Sequence, residues 1–229
     1  MKSFFNIVLI LILLGSCKPH QSVYTNPIPN IKIDSTLSSN RRIKKLIAPF
    51  KNVLQDKMDV VIGYSPAFLE KKRPSSALGN FMADAIYNVA LNTGNKVDFC
   101  FLNYGGIRGT IDSGDITVGD IFRLMPFENE ITIVKISKRQ FYQILQQASK
   151  KGGEPFSYEL IEIKNSVQLI NRDFFYVATN DYLANGGDNY SMFTETTERI
   201  DTGIKIRDGL ITYVKNFNPL PLDFNQRTF

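Results

Sequence analysis

Two short glycine-bearing segments hold the residue types that could grip a phosphorylated ligand. The first, Asn103-Tyr104-Gly105-Gly106-Ile107-Arg108, follows the apolar run Phe99-Cys100-Phe101-Leu102, so it lies where a buried strand leaves the core. Adjacent glycines, Gly105 and Gly106, let backbone N–H groups come close to a ligand, and the Arg108 guanidinium is a forked donor for phosphate. A plain Gly-Gly turn beside a solvated arginine reads the same way. The second segment, Asn180-Asp181-Tyr182-Leu183-Ala184-Asn185-Gly186-Gly187-Asp188, again closes a β-branched and aromatic run, Phe174 to Thr179. An aspartate beside glycines, Asp188, suits bidentate hydrogen bonding to vicinal hydroxyls. An aromatic at a loop tip, Tyr182, can stack on a base for about 1–3 kcal/mol. An Asx-rich turn with a packed tyrosine is the alternative. A third piece, Met125-Pro126-Phe127-Glu128-Asn129, sets an aromatic in a proline turn between a helix and a strand.

Composition limits the chemistry further. The 229 residues are 43% hydrophobic and 21% charged, enough for a buried core. Lys and Arg number 27 against 22 Asp and Glu, with no dedicated basic stripe, so nucleic acid is not an expected partner. The single histidine is His20. Zinc and two-metal hydrolase sites lean on several histidines, which argues against a self-contained metallohydrolase and against any His-based triad or dyad. No metal or other cofactor is expected on this chain.

The N-terminus reads as a targeting segment. Residues 1–16 open Met1-Lys2 and then run apolar from Phe4 to Leu14, interrupted only by Asn6, which is short for a membrane span. They end Leu14-Gly15-Ser16-Cys17, which resembles a bacterial lipobox, so Cys17 is the expected lipidation site. An ordinary cleaved signal with a chance cysteine, or an uncleaved anchor, is the plainer reading. Lys18 in place of Asp after the cysteine does not favour inner-membrane retention. The expected product is exported and lipid-anchored to the cell envelope at the outer membrane, touching the membrane only through Cys17. Cys100 then remains as the one thiol, inside an apolar run and expected to be buried and inert.

Residues 17–40 are rich in Pro, Ser, Thr and Asn and read as a flexible tether; 41–229 carry the patterning of one compact domain. Helices are expected at 41–56, at 77–92 from the spacing of Leu78, Phe81, Met82, Ala85, Ile86 and Val89, and from Thr117 through Leu124. Another follows Ser137 and Gln140, with an apolar face of Phe141, Ile144, Leu145 and Ala148, and a last one is expected near 202–217. Strands are expected near 59–63, at 97–102, 130–136, 158–163, 166–170 and 174–179. The irregular order gives a mixed α+β class with a mixed sheet rather than a doubly wound parallel one.

Taken together, "LGNFMADAI", "NYGGIR", "GDITVGDIFRLMPFEN" and "TNDYLANGGDNY" resemble the C-terminal, substrate-binding domain of the 5′-nucleotidase and UDP-sugar hydrolase family over roughly residues 57–215. The resemblance implies that family's layered α/β/β/α fold. It implies that Phe127 and Tyr182 sandwich a nucleobase and that Asp188 holds the ribose hydroxyls. It also places Asn103 and Arg108 at the nucleoside and phosphate end, with Gly105, Gly106, Asn185 and Gly187 in the binding loops. A family arginine before "LGN" falls on Pro74, and Arg73 is the candidate replacement; the family's "SG" turn is not visible at Phe156-Ser157-Tyr158. Arg73, Arg108 and Arg123 together offer a locally positive mouth.

The family's metal-bearing N-terminal domain has no counterpart here. The resemblance therefore implies the nucleotide-binding half of a split phosphohydrolase in nucleotide catabolism, inactive alone. A separate metallophosphoesterase would supply divalent metals. A nucleotide-binding lipoprotein without hydrolytic partner, and an interaction lipoprotein with a degenerate pocket, are the alternatives.

Overall fold

In a computed structural model, residues 30, 32–34, 36–166 and 171–228 are described; the 1–16 segment, Cys17, His20 and most of the strand expected at 166–170 lie outside the described residues. The chain divides into two units, Met1–Lys45 and Leu46–Phe229. The Asn40 carboxamide caps helix α1 (Arg41–Met58) by accepting from the N–H groups of Arg42 and Ile43 at 2.9 and 3.2 Å.

Strand β1 (Val61–Ser65) pairs antiparallel with β3 (Gly114–Thr117) as a two-stranded ribbon. The main sheet has four strands in the order β2 (Phe99–Cys100), β5 (Phe174–Asn180), β4 (Glu130–Ser137), β6 (Arg199–Lys205). The β2–β5 pair is parallel and the other two are antiparallel, so the class is the expected mixed α+β.

Both faces of this sheet are covered at its centre, which is why β2 and most of β5 are apolar while the edge strand β6 alternates. Cys100, Ile131, Ile133 and Ala178 point to one face, against α2 (Ala77–Leu91) and α7 (Ile206–Asn216). Phe99, Val134, Ile136, Phe175 and Val177 point to the other, against α4 (Lys138–Lys150) and α5 (Glu159–Asn165). Period-two alternation thus assigns each side chain to one of two cores. The ribbon leans on α7 at Gly63, where an added Cβ would fall 2.5 Å from Val214.

Helix starts follow their capping residues. Ser137 and Gln140 form a capping box before α4, and Thr117 and Asp120 form one before α3 (Val118–Leu124), as the sequence pattern predicts. Three expectations change. The segment 158–163 is helix α5 rather than a strand: Leu160 and Ile163, three apart, are its buried residues, so burial follows a helical period. The expected helix at 202–217 is strand β6 up to Lys205 and helix only from Ile206, because Ile200, Thr202 and Ile204 alternate. The strand at 97–102 shortens to Phe99–Cys100, its continuation held by single bonds such as Leu102 N–H to Pro155 O at 2.9 Å. Cys100 is fully buried, and burial pushes its thiol pKa up, as an inert core thiol requires.

Candidate functional site

Parallel neighbours β2 and β5 end at the same edge of the sheet, with Cys100 beside Ala178, so Asn103 and Asn180 emerge next to each other. Ligand crevices in parallel sheets open at this carboxyl edge. Asn180 is the N-cap of the short helix α6 (Asp181–Ala184), its Oδ1 accepting from Leu183 N–H at 2.7 Å. That cap turns the chain so that Tyr182 stands at the rim.

A chain of hydrogen bonds joins the two loops. Asn180 Nδ2 donates to Asn103 Oδ1 at 2.9 Å, and Asn103 Nδ2 donates to Asp188 Oδ2 at 2.8 Å. The Tyr182 hydroxyl donates to Asp188 Oδ1 at 3.1 Å and accepts from Asp188 N–H at 3.2 Å. A carboxylate has about four acceptor positions, so Asp188 keeps capacity for two ligand hydroxyls after these contacts.

These residues line a cleft of about 410 Å³, in the range of small-molecule sites. Gly105, Gly106, Arg108, Phe127, Asn129 and Tyr182 are among the residues that line it. The rings of Phe127 and Tyr182 are 38% and 46% exposed, leaving apolar surface open inside a polar frame. The Arg108 guanidinium lies 5.5 Å from the centre of the Phe127 ring, and its Nη1 donates to Gly105 O at 3.3 Å. Asn129 steadies the floor by donating to Asp181 Oδ1 at 2.6 Å.

Behind the first loop sits a tightly held layer. Lys71 Nζ and the Arg73 guanidinium each lie 4.4 Å from the centre of the Tyr104 ring, and Lys71 donates to Ile107 O at 2.6 Å. Buried Glu154 accepts the Tyr104 N–H. Burial raises the Glu154 pKa above the usual carboxylate value. Burial, and after it the charges of Arg108 and Arg73, lowers the Lys71 pKa. The loop is thus set on a positive base.

Asn103, Gly105, Gly106, Arg108, Phe127, Tyr182 and Asp188 all come together in the cleft. Arg73 does not line it: its guanidinium stacks on Tyr104 and donates to Gly153 O at 2.9 Å. Asn185 turns away and accepts from Arg199 at 2.7 Å. Gly187 acts through space rather than contact, since a Cβ there would fall 2.5 Å from the Tyr182 ring. Arg123 pairs with Asp120 outside the cleft lining. Asn129 and Asn180 were not among the residues expected from sequence, although both sit inside the quoted motifs; an Asn at the end of an apolar strand, before a short helix, was the available signal.

The family model "5′-nucleotidase, C-terminal domain" matches residues 61–195, more than half of the chain. The chain belongs to this family. It is 30% identical over 203 residues to the trifunctional nucleotide phosphoesterase protein YfkN of Bacillus subtilis, an alignment covering 76% of this chain and 14% of that protein. It is 24% identical over 212 residues to the 5′-nucleotidase of Vibrio parahaemolyticus, covering 83% of this chain and 37% of the relative. The crystal structure of the 5′-nucleotidase precursor from Thermus thermophilus has the same fold, with a TM-score of 0.69 at 22% identity, over 80% of this chain and 42% of that one. The chain thus spans less than half the length of these relatives.

Proposed function

We propose that this chain is the nucleotide-binding half of a split 5′-nucleotidase-type phosphohydrolase, exported and held at the outer membrane by a lipid on Cys17. The observation that carries the reading is the linked set Asn180–Asn103–Asp188–Tyr182 at the cleft, with Arg108 beside Phe127. Asp188 accepts the two ribose hydroxyls, Phe127 and Tyr182 stack on the base, and Arg108 meets the phosphate end. Asn103 orients Asp188, and both loops are bonded before any ligand arrives, so little ordering is needed on binding.

Hydrolysis in this reading belongs to a separate metallophosphoesterase that supplies divalent metals. Among the described residues no three His, Cys, Asp or Glu side chains gather to hold a metal ion, so no step is assigned to a metal on this chain. The test is calorimetric titration of residues 17–229, without lipid, with AMP, adenosine and UDP-glucose, using Tyr182→Ala as control. Binding lost in the variant supports the reading; no heat at millimolar ligand sinks it. The formed cleft also suits a second reading, capture without hydrolysis. Metal-dependent turnover on adding a phosphoesterase that co-purifies from the envelope separates the two.

A further inference from the structure

Helix α1 (Arg41–Met58) has 18 residues and no buried one. At 100° per residue, Ile43, Leu46, Ile47, Phe50, Val53 and Leu54 fall within one arc about 120° wide. All six are exposed, Phe50 to 75%, and no described residue covers them. Scattered exposed apolar residues need no explanation, but a continuous stripe along about three turns does.

The charges around the stripe say what covers it. The helix carries six cationic residues, Arg41, Arg42, Lys44, Lys45, Lys51 and Lys57, against the single acid Asp56. Lys44 and Lys51 border the stripe on one side and Arg42 on the other, Arg41 and Lys45 lie behind, and Lys57 falls on the arc itself about one turn past Leu54. Protein interfaces are depleted in lysine, which loses its hydration when buried. A lipid surface uses such residues: long cationic chains at the edges of an apolar face reach up to anionic headgroups while the face sits among acyl chains. Pro49 lies off the stripe, so its ring does not interrupt the row of apolar side chains.

We propose that helix α1 lies flat on an anionic lipid surface, with its apolar stripe in the acyl region and its Lys/Arg fringe on the headgroups. This contact is independent of acylation at Cys17 and of the nucleotide reading. It would give the protein a second membrane signal beside the lipid on Cys17.

The experiment is flotation of residues 17–229 carrying Cys17→Ser, which no lipid can modify. The vesicles are phosphatidylcholine with or without phosphatidylglycerol. Flotation with the anionic vesicles and not the neutral ones is expected, weakening with added salt. Phe50→Asp should reduce partitioning by about tenfold or more. Removing Lys44 and Lys51 as glutamines should reduce it by about fivefold per charge. Phe50 is exposed, so an unchanged thermal transition is expected; Leu46→Asp is the second variant. No flotation, or flotation indifferent to both variants, overturns the proposal. So does Phe50-dependent self-association, or capture of a phosphoesterase subunit, in place of vesicle binding.

Discussion

In the Asn103–Arg108 loop neither Gly105 nor Gly106 adopts a left-handed backbone, whereas in the Asn185–Asn189 loop Gly186, Asp188 and Asn189 all do, at φ of 84°, 52° and 65°. The two Gly-Gly pairs look alike in sequence, but Gly106 and Gly187 are constrained for different reasons. Around Gly106 the constraint is a side chain, since a Cβ would lie 3.0 Å from Asn103 Oδ1. Around Gly187 it is a ring and a carbonyl, with a Cβ 2.5 Å from Tyr182 Cε1 and 2.6 Å from Tyr182 O. The first loop is shaped by its bonding partner, the second by its own backbone. The cost is a strained φ at Asp188, tolerated because Asp and Asn visit this region more readily than other residues.

The largest effect is expected from Gly187→Ala. The methyl cannot fit beside Tyr182 unless the ring and its backbone move, and overpacking of this kind costs about 1–3 kcal/mol. The variant should melt lower and show no measurable nucleotide binding by calorimetry. Retained affinity would mean that the Tyr182 seat is not part of the binding surface.

Tyr182→Ala comes next. Loss of a stacking platform costs about 1–3 kcal/mol, a five- to 150-fold rise in Kd, with little change in stability because the ring is half exposed. Tyr182→Phe keeps the ring and removes two hydrogen bonds to Asp188. One net bond is worth about 0.5–1.5 kcal/mol, so a smaller rise is expected, appearing with adenosine and UDP-glucose alike. Equal losses in the two variants would show that the hydroxyl, rather than the ring face, carries the residue's effect.

The layer behind the first loop has a pH signature. The folded pKa of Glu154 is raised by burial, so the folded state holds this proton more tightly than the unfolded chain does. Below the unfolded value of about 4.3 both states are protonated and the group costs nothing. As pH rises from there through the folded pKa, the unfolded state loses its proton first, and stability from this group falls. Glu154→Gln keeps an acceptor for the Tyr104 N–H and abolishes the effect. Urea melts from acid to neutral pH should show wild type losing stability relative to the variant over that window; parallel curves would refute it.

How much of this was legible beforehand depended on the range of the interaction. Helix starts were readable because a capping box spans three residues, as at Ser137–Gln140 and Thr117–Asp120. The loop motifs were readable because glycines and their neighbours lie together in the chain. Helix α5 was misread because Ile161 and Ile163 favour a strand locally and only packing of Leu160 and Ile163 decides for a helix. Arg73 was named through the resemblance, as a replacement for a family arginine that falls on Pro74; its partners here, Tyr104 and Gly153, lie 31 and 80 positions away, beyond any local pattern. The same distance hid the role of Asn180, whose bond to Asn103 spans 77 positions.

Gly105→Ala is the mildest variant and the one that sharpens the comparison most. Its Cβ would lie 3.5 Å from Asn103 Nδ2 and 3.8 Å from Asp188 Oδ2, ordinary contact distances, and the backbone there is not left-handed. Stability should therefore change by less than about 0.5 kcal/mol, as for substitutions without a strained backbone or buried clash. The methyl does point toward the hydrogen-bonded pair that holds Asp188, within the cleft wall. A modest rise in Kd with an unchanged melting temperature is the expected pattern, the reverse of Gly187→Ala, where both move. If Gly105→Ala destabilises as much as Gly187→Ala, the two loops are constrained alike and the distinction drawn from their backbones fails.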